Sequence, residues 1–206
     1  DFCLSRGLGD VYKRQVNTPW GAVQCPDFAQ VASDKKAYAK ATRQQYDQQD
    51  EIYGKTVIQR HGKQMLVQNP PALSLTQEEL DAVYQLPFQR KPHPMYDAQG
   101  GVPGIAEVQF SIAHNRGCFG YCNFCSIALH QGRRVTCRSE ESILKEAKQI
   151  TEMPNFKGYI HDVGGPTANF RAPSCKKQLT KGLCKGKKCL APEICPAIHA
   201  DHSEYL

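Results

Sequence analysis

The chain has 206 residues, of which 40% are hydrophobic and 22% charged, and its 26 basic and 20 acidic side chains leave a formal net charge of +6. Enough apolar material is present for a packed core, which excludes a wholly disordered polymer. No apolar run approaches the roughly 18 uninterrupted residues of a membrane helix, and no basic start with an apolar centre marks an export signal, so a cytoplasmic chain with no membrane partner is expected.

The first fifteen residues, DFCLSRGLGDVYKRQ, carry no initiator Met and no helical or strand period. Residues 1-15 are therefore expected to be a non-native or unstructured leader. The last residues, HADHSEYL, supply no closing element, so a piece of a longer protein is expected.

Residues 16-106 read as an accessory segment and linker, mostly helical or irregular. Between Val31 and Tyr53 the chain is rich in Gln, Lys, Ala and Asp, which suits a polar helix or a loose linker. Thr56 to Ile58 and Met65 to Val67 flank His61-Gly62 and predict a hairpin, closed off by Asn69-Pro70-Pro71. Thr76-Gln77-Glu78-Glu79 is a capping box, and Leu80, Val83 and Tyr84 share one face of the helix it starts, which should stop before Pro87. The Pro and Gly density of RKPHPMYDAQGGVPG marks a boundary, and His93 there reads as a loop residue.

Beyond that boundary the pattern changes. A strand is predicted over Glu107 to Ala113, then a Cys-rich loop, then a helix capped by Ser139 with Ile143, Ala147 and Ile150 at i, i+4, i+7. A second strand, Gly158 to Val163, runs into Gly164-Gly165-Pro166. Strand, helix and strand at this separation predict a βαβ unit with parallel strands and a right-handed crossover. Ligands of parallel α/β folds bind at the carboxyl ends of the strands, where both loops would open.

Ten Cys with no export signal point to metal or iron-sulfur ligation in place of a disulfide framework. Cys3, Cys25 and Cys137 stand alone and read as plain thiols. Cys118, Cys122 and Cys125 are spaced C-x3-C-x2-C and supply three thiolates, which leaves one corner of a [4Fe-4S] cluster open, whereas a further Cys or His elsewhere would make an ordinary zinc site. Cys175, Cys184, Cys189 and Cys195 are spaced C-x8-C-x4-C-x5-C in a Cys-rich insertion over 171-196. Four thiols suit a structural zinc or a closed Fe-S cluster, with unligated thiols or a redox disulfide as the alternatives. His199 and His202 could replace one Cys, or be surface residues of a polar tail. His114 and His161 are candidates for the mouth of the fold, or ordinary buried or hydrogen-bonded histidines.

From Arg171 to Leu190 there are seven basic residues and no acidic one. Such a stretch can contact nucleic acid phosphates, form a solvated loop, or offset the charge of clustered thiolates.

With the three-Cys motif after one strand and a double glycine after the next, the chain resembles the radical S-adenosylmethionine (SAM) superfamily. NPPALSLTQEELDAVYQLPFQRKPHP, FSIAHNRGCFGYCNFCSIALHQGR, CRSEESI and DVGGPTANF, in this order, narrow the resemblance to the YgiQ family, from about Tyr53 onward. Tyr121 stands where the family would have Gly, and Pro166 stands where the superfamily usually has Glu, as in YgiQ.

The resemblance implies an α/β fold over 107-206, the N-terminal portion of a radical SAM (βα) partial TIM-type barrel. It implies a [4Fe-4S] cluster on Cys118, Cys122 and Cys125, with SAM between Phe124, near the adenine, and Gly164-Gly165, near the methionine amino group. The implied reaction is electron transfer from the reduced cluster to SAM and cleavage to a 5'-deoxyadenosyl radical, with a reductant such as a flavodoxin or ferredoxin. No motif identifies the substrate, and a partial barrel is expected to be inactive alone. Competing readings are a zinc-stabilised nucleic-acid-binding module and a closed-cluster electron carrier indifferent to SAM.

Overall fold

The computed structural model describes residues 13-14, 20-165, 170 and 175-198. Most of the 1-15 leader lies outside the described residues, as do Cys3, Pro166, Arg171, His199 and His202. In chain order the elements are β1 (Lys13–Arg14), β2 (Val23–Gln24), α1 (Phe28–Ser33), α2 (Lys35–Asp47), β3 (Val57–His61), β4 (Gln64–Gln68), α3 (Gln77–Tyr84), a 3-10 helix (Pro94–Gln99), α4 (Ile105–Val108), β5 (Ser111–Ala113), β6 (Asn115–Arg116), α5 (Ile127–Gln131), β7 (Thr136–Cys137), α6 (Glu140–Thr151), β8 (Asp162–Gly164) and α7 (Lys176–Lys181). The architecture is mixed α/β with small sheets. Among the described residues no helix is long and apolar enough to cross a membrane.

Two units can be told apart. One is built from Asp1–Ser74, Cys118–Arg134 and Cys175–His199, and the other from Leu75–Gly117, Val135–Ser174 and Ala200–Leu206.

The first unit is organised by a four-stranded sheet in the order β1-β4-β3-β2. The expected hairpin is present as β3 and β4, antiparallel from Val57↔Gln68 to His61↔Gln64, and Gly62 takes the φ of +59° that the two-residue turn requires. β2 pairs parallel with β3, and Lys13–Arg14, part of the segment set aside as a leader, pairs antiparallel with β4. The polar stretch after Val31 is helical: Asp34 caps α2 by accepting from the Lys36 amide at 2.8 Å. Cys25, Ala41 and Val57 form the core with Val31 against them. Burial pushes the Cys25 thiol up, with Lys40 pulling the other way, as befits a packed thiol.

In the second unit the predicted capping box is formed. Thr76 Oγ1 accepts from the Glu79 amide at 3.2 Å, the Thr76 amide donates to Glu79 Oε2 at 2.8 Å, and Leu80 is buried on the inner face of α3. β5 and β8 are parallel, in register at Ser111↔Asp162, Ile112↔Val163 and Ala113↔Gly164. α6 lies between them in the chain, capped by Ser139 accepting from Ser142 N at 3.1 Å. Ile143 and Ile150 pack with Phe110 and Ile112, and Ala147 and Val163 lie against that cluster. Each fully buried side chain of this size contributes roughly 1.5–3 kcal/mol of transfer free energy, so this face of α6 holds the helix to the strands.

Strand boundaries differ from expectation. Glu107 and Val108 are helical, because Val102-Pro103-Gly104 opens a turn whose carbonyls accept from the Ile105, Ala106 and Glu107 amides at 3.1, 3.2 and 3.4 Å. Local bonding of this kind overrides the alternation that read as an early strand start. The second strand likewise runs over Asp162–Gly164, later than predicted, since Gly158 turns the chain at φ +92°.

An ionic network underlies the βαβ unit. Arg138, 1% exposed, donates to Ala113 O at 3.1 Å, to Ser142 O at 2.9 Å and to Glu146, and its guanidinium lies 4.1 Å above the Tyr84 ring. Arg90 pairs with the other oxygen of Glu146 and donates to the Gln109 and Ser111 carbonyls at 2.9 and 3.1 Å. Glu146 is thus satisfied from both sides, as a buried carboxylate must be.

Candidate metal centre

The Cys118–Cys125 loop belongs to the first unit. Its first residue is tied to the end of α5 by the Cys118 amide donating to Gly132 O at 3.0 Å, and Cys125 N donates to Cys122 O at 3.1 Å inside the loop. Phe119, 1% exposed, anchors the loop from within. Cys118 is buried, Cys125 half-buried and Cys122 exposed.

Gly120 sits between two of the sulfurs. A Cβ there would lie 3.4 Å from Cys118 Sγ, 3.6 Å from Cys122 Sγ and 3.9 Å from Leu190 Cδ1, so a side chain would fill the space the two thiols share. The next residue, Tyr121, has φ +50°. That is the left-handed region where a glycine meets no steric cost, so the unexpected tyrosine keeps the glycine-like backbone. Its ring compensates: the Arg133 guanidinium stands 4.1 Å above it, and the Tyr46 ring is 5.4 Å away. Burial pushes the Tyr121 phenol up, against the opposing pull of Arg133. Phe124 projects into solvent, 92% exposed.

The second Cys group lies in the same unit. Cys175 precedes α7, Cys195 N donates to Cys189 O at 2.8 Å, Lys177 Nζ donates to Cys184 Sγ at 3.4 Å, and Gln178 Nε2 donates to Cys189 Sγ at 3.8 Å. The seven thiols of the two groups are not in disulfides. Burial raises Cys189, Arg133 lowers it, and Cys195, Cys175 and Cys184 raise it further as like-charged neighbours. Among the described residues no three His, Cys, Asp or Glu side chains are gathered as a set that could hold a metal ion.

The two Cys loops touch each other. Arg133 donates to Lys187 O at 3.3 Å while covering Tyr121, and Lys188 Nζ hydrogen-bonds Asn123 Oδ1. Supporting residues come from the segment after α2, part of the stretch that reads in sequence as a polar helix or a loose linker. The buried Asp50 carboxylate accepts from Ile52 N, Tyr53 N and Leu183 N at 2.7, 2.8 and 2.6 Å, and Tyr53 Oη donates to Leu183 O at 3.0 Å. Glu51 accepts from Ser74 N at 2.6 Å and pairs with Arg134 at 2.7 Å. The available signal was an acidic pair, Asp50-Glu51, closing a Gln-rich run, and a basic pair, Arg133-Arg134, following the Cys loop.

The double glycine belongs to the second unit. Gly164 is buried, its carbonyl accepts from His114 N at 2.9 Å, and it ends β8 beside Ala113 at the carboxyl end of β5. Gly164 and Gly165 also line a groove of about 1240 Å³ bounded by residues 106-113 and 155-165. His161, exposed, stacks on Tyr159 at 4.9 Å, and its Nδ1 lies 3.3 Å from Glu107 O.

Residues 5-111 match the family model described as Radical SAM N-terminal. A UPF0313 protein of Clostridium perfringens is 55% identical over 203 residues, covering 98% of this chain and 30% of the relative. A UPF0313 protein of Clostridium botulinum strain Okra is 54% identical over 184 residues, covering 89% of this chain and 29% of the relative. The chain thus spans less than a third of the length of these curated relatives. No solved structure matches it. By the family match and by these relatives, the chain belongs to the UPF0313, YgiQ-like family of radical SAM proteins.

Proposed function

We propose that this chain carries the cluster-binding and SAM-binding start of a radical SAM enzyme. The observation that supports it most is the Cys118–Cys125 loop, in which Gly120 leaves the space beside Cys118 Sγ and Cys122 Sγ free of a side chain of its own. Soft thiolate donors suit an iron-sulfur cluster, and three of them leave one iron for an outside ligand. The residues present fit such a group: Cys118, Cys122 and Cys125 would hold a [4Fe-4S] cluster. The chemistry that such a cluster with SAM supplies when bound is one-electron reductive cleavage to a 5'-deoxyadenosyl radical.

The chain's own residues bind and orient. Phe124, free of protein contacts on most of its surface, offers a ring for the adenine of SAM. Gly164 and Gly165, at the carboxyl end of a parallel strand, let a ligand approach the backbone where a Cβ would intrude, and suit the methionine end. Arg133 and Lys188 place positive charge beside the Cys loop.

In this reading β5, α6 and β8 are the first βα units of a partial TIM-type barrel over 107-206, after an accessory segment over 16-106 and a leader over 1-15. The remaining units and most of the substrate pocket would come from outside this chain, so it is expected to be inactive alone. Its setting is the reducing cytoplasm, with a flavodoxin-type or ferredoxin-type reductant. The test is anaerobic reconstitution with iron and sulfide. A loss of about four iron per chain relative to the unaltered chain is expected in each of Cys118→Ala, Cys122→Ala and Cys125→Ala; a content unchanged by all three substitutions overturns the reading.

A further inference from the structure

Residues 175 to 198 pose a stability problem. The segment holds one six-residue helix, α7, and no strand, and Leu183 is the only buried hydrophobic among its described residues, whereas Leu179 and Ile194 are 41% and 70% exposed. So little apolar burial does not fix a loop of this length, and chains with small cores use cross-links or metals instead. No cross-link is formed here, since Cys175, Cys184, Cys189 and Cys195 are all thiols.

The four Cys lie in one short segment, although among the described residues their side chains are not gathered as a ligand set. The Cys195 amide donates to Cys189 O at 2.8 Å, and Gln178 bridges Cys175 and Cys189, its amide donating to Cys175 O at 3.0 Å and its Nε2 to Cys189 Sγ at 3.8 Å. Two of the sulfurs already accept N–H donors, from Lys177 to Cys184 and from Gln178 to Cys189, the contacts that orient and stabilise metal-bound thiolates. Positive charge is supplied by Lys176, Lys177, Lys181, Lys185, Lys187 and Lys188, which offsets the four negative charges a tetrathiolate would carry.

The geometry points to a second, closed metal site on Cys175, Cys184, Cys189 and Cys195, separate from the Cys118–Cys125 loop and structural in role. Four thiolates leave no open position, so the site binds no substrate. Thiols of such sites converge as the metal binds and displaces their protons, so binding free energy becomes folding free energy for the loop. The shared chemistry is a tetrathiolate, and its occupant is a single zinc ion or an iron-sulfur cluster. The assignment does not rest on the radical SAM reading.

The test uses the whole chain with Cys118→Ser, Cys122→Ser and Cys125→Ser together, purified without oxygen, with zinc, iron and acid-labile sulfide measured per chain. About one zinc, or about four iron with sulfide, is expected to remain, and to fall at least fivefold when Cys184→Ser and Cys189→Ser are added. The two arms tell the occupants apart. Metal absent from the first variant, or unchanged in the second, overturns the site. A second measurement needs no substitution: in the unaltered chain, alkylation of Cys184 and Cys189 should rise at least tenfold after metal removal by chelator or acid, and equal labelling before and after overturns the proposal.

Discussion

Asp50 and Leu183 are 133 positions apart in the chain, yet the Leu183 amide donates to the Asp50 carboxylate at 2.6 Å in a buried setting. The other carboxylate oxygen accepts from the Ile52 and Tyr53 amides, so one side chain ties the turn after α2 to the start of the second Cys loop. Gly182, at φ +69°, lies so close that a Cβ would stand 2.6 Å from Asp50 Oδ1.

Two substitutions test this tie. Asp50→Ala strands one buried and two part-buried amides and should cost about 2–4 kcal/mol, and Gly182→Ala should cost about 2–3 kcal/mol from left-handed strain and the clash together. Urea denaturation midpoints measure both; a change below about 0.5 kcal/mol in each would remove the tie from the account.

Glu146 is the corresponding point in the second unit, held by Arg90 and Arg138. Glu146→Ala leaves two guanidiniums facing each other without a counter-charge in a buried place, with an expected loss of about 3–5 kcal/mol. Glu146→Gln keeps the shape and one acceptor and should cost less. Equal midpoints for the two variants would mean that the lost charge alone, not the shape or the remaining acceptor, decides the site.

Tyr121 separates backbone strain from side-chain contact. Tyr121→Ala keeps the positive φ and loses the stacking with Arg133, whereas Tyr121→Gly loses the same stacking but relieves the backbone by about 1 kcal/mol. Thermal unfolding should therefore rank the glycine variant above the alanine variant. The reverse order would show that φ +50° carries no strain there.

The same phenol makes a pH prediction. Its folded value lies above the ordinary 10.0, chiefly through burial, so the unfolded chain ionises first as pH rises. The contribution of the neutral Tyr121 is fully present below pH of about 10 and is lost as pH rises through the higher folded value. Absorbance titration of phenolate should show a late-titrating component that is reduced in Tyr121→Phe, Tyr53 supplying the rest through its own burial; a spectrum unchanged by that substitution contradicts it.

Elements with short-range causes were legible. The Thr76 capping box, the His61-Gly62 hairpin and the apolar stripe of α6 depend on residues within a few positions of each other, and each formed where the spacing put it. Strand ends were not legible, because Gly104 and Gly158 impose turns that outweigh alternation. The supports of the Cys loops were also hidden. Asp50 reaches Leu183 and Glu51 reaches Arg134 across long chain separations, and an acidic residue meant for a distant amide looks like any surface acid in a Gln-rich run. Similarity to the family extends further toward the amino terminus than the motifs from Tyr53 onward, since the match begins at residue 5. That region lacks Cys or Gly-rich signatures, so nothing local in it stands out.

The central claim is an open-iron cluster on Cys118, Cys122 and Cys125. Electron paramagnetic resonance of the anaerobically reconstituted, dithionite-reduced chain, recorded with and without SAM and alongside Cys118→Ala, tests it most directly. The account predicts a reduced-cluster component that shifts when SAM is added and is missing from the Cys118→Ala variant. A signal indifferent to SAM, or one that survives Cys118→Ala unchanged, would contradict it.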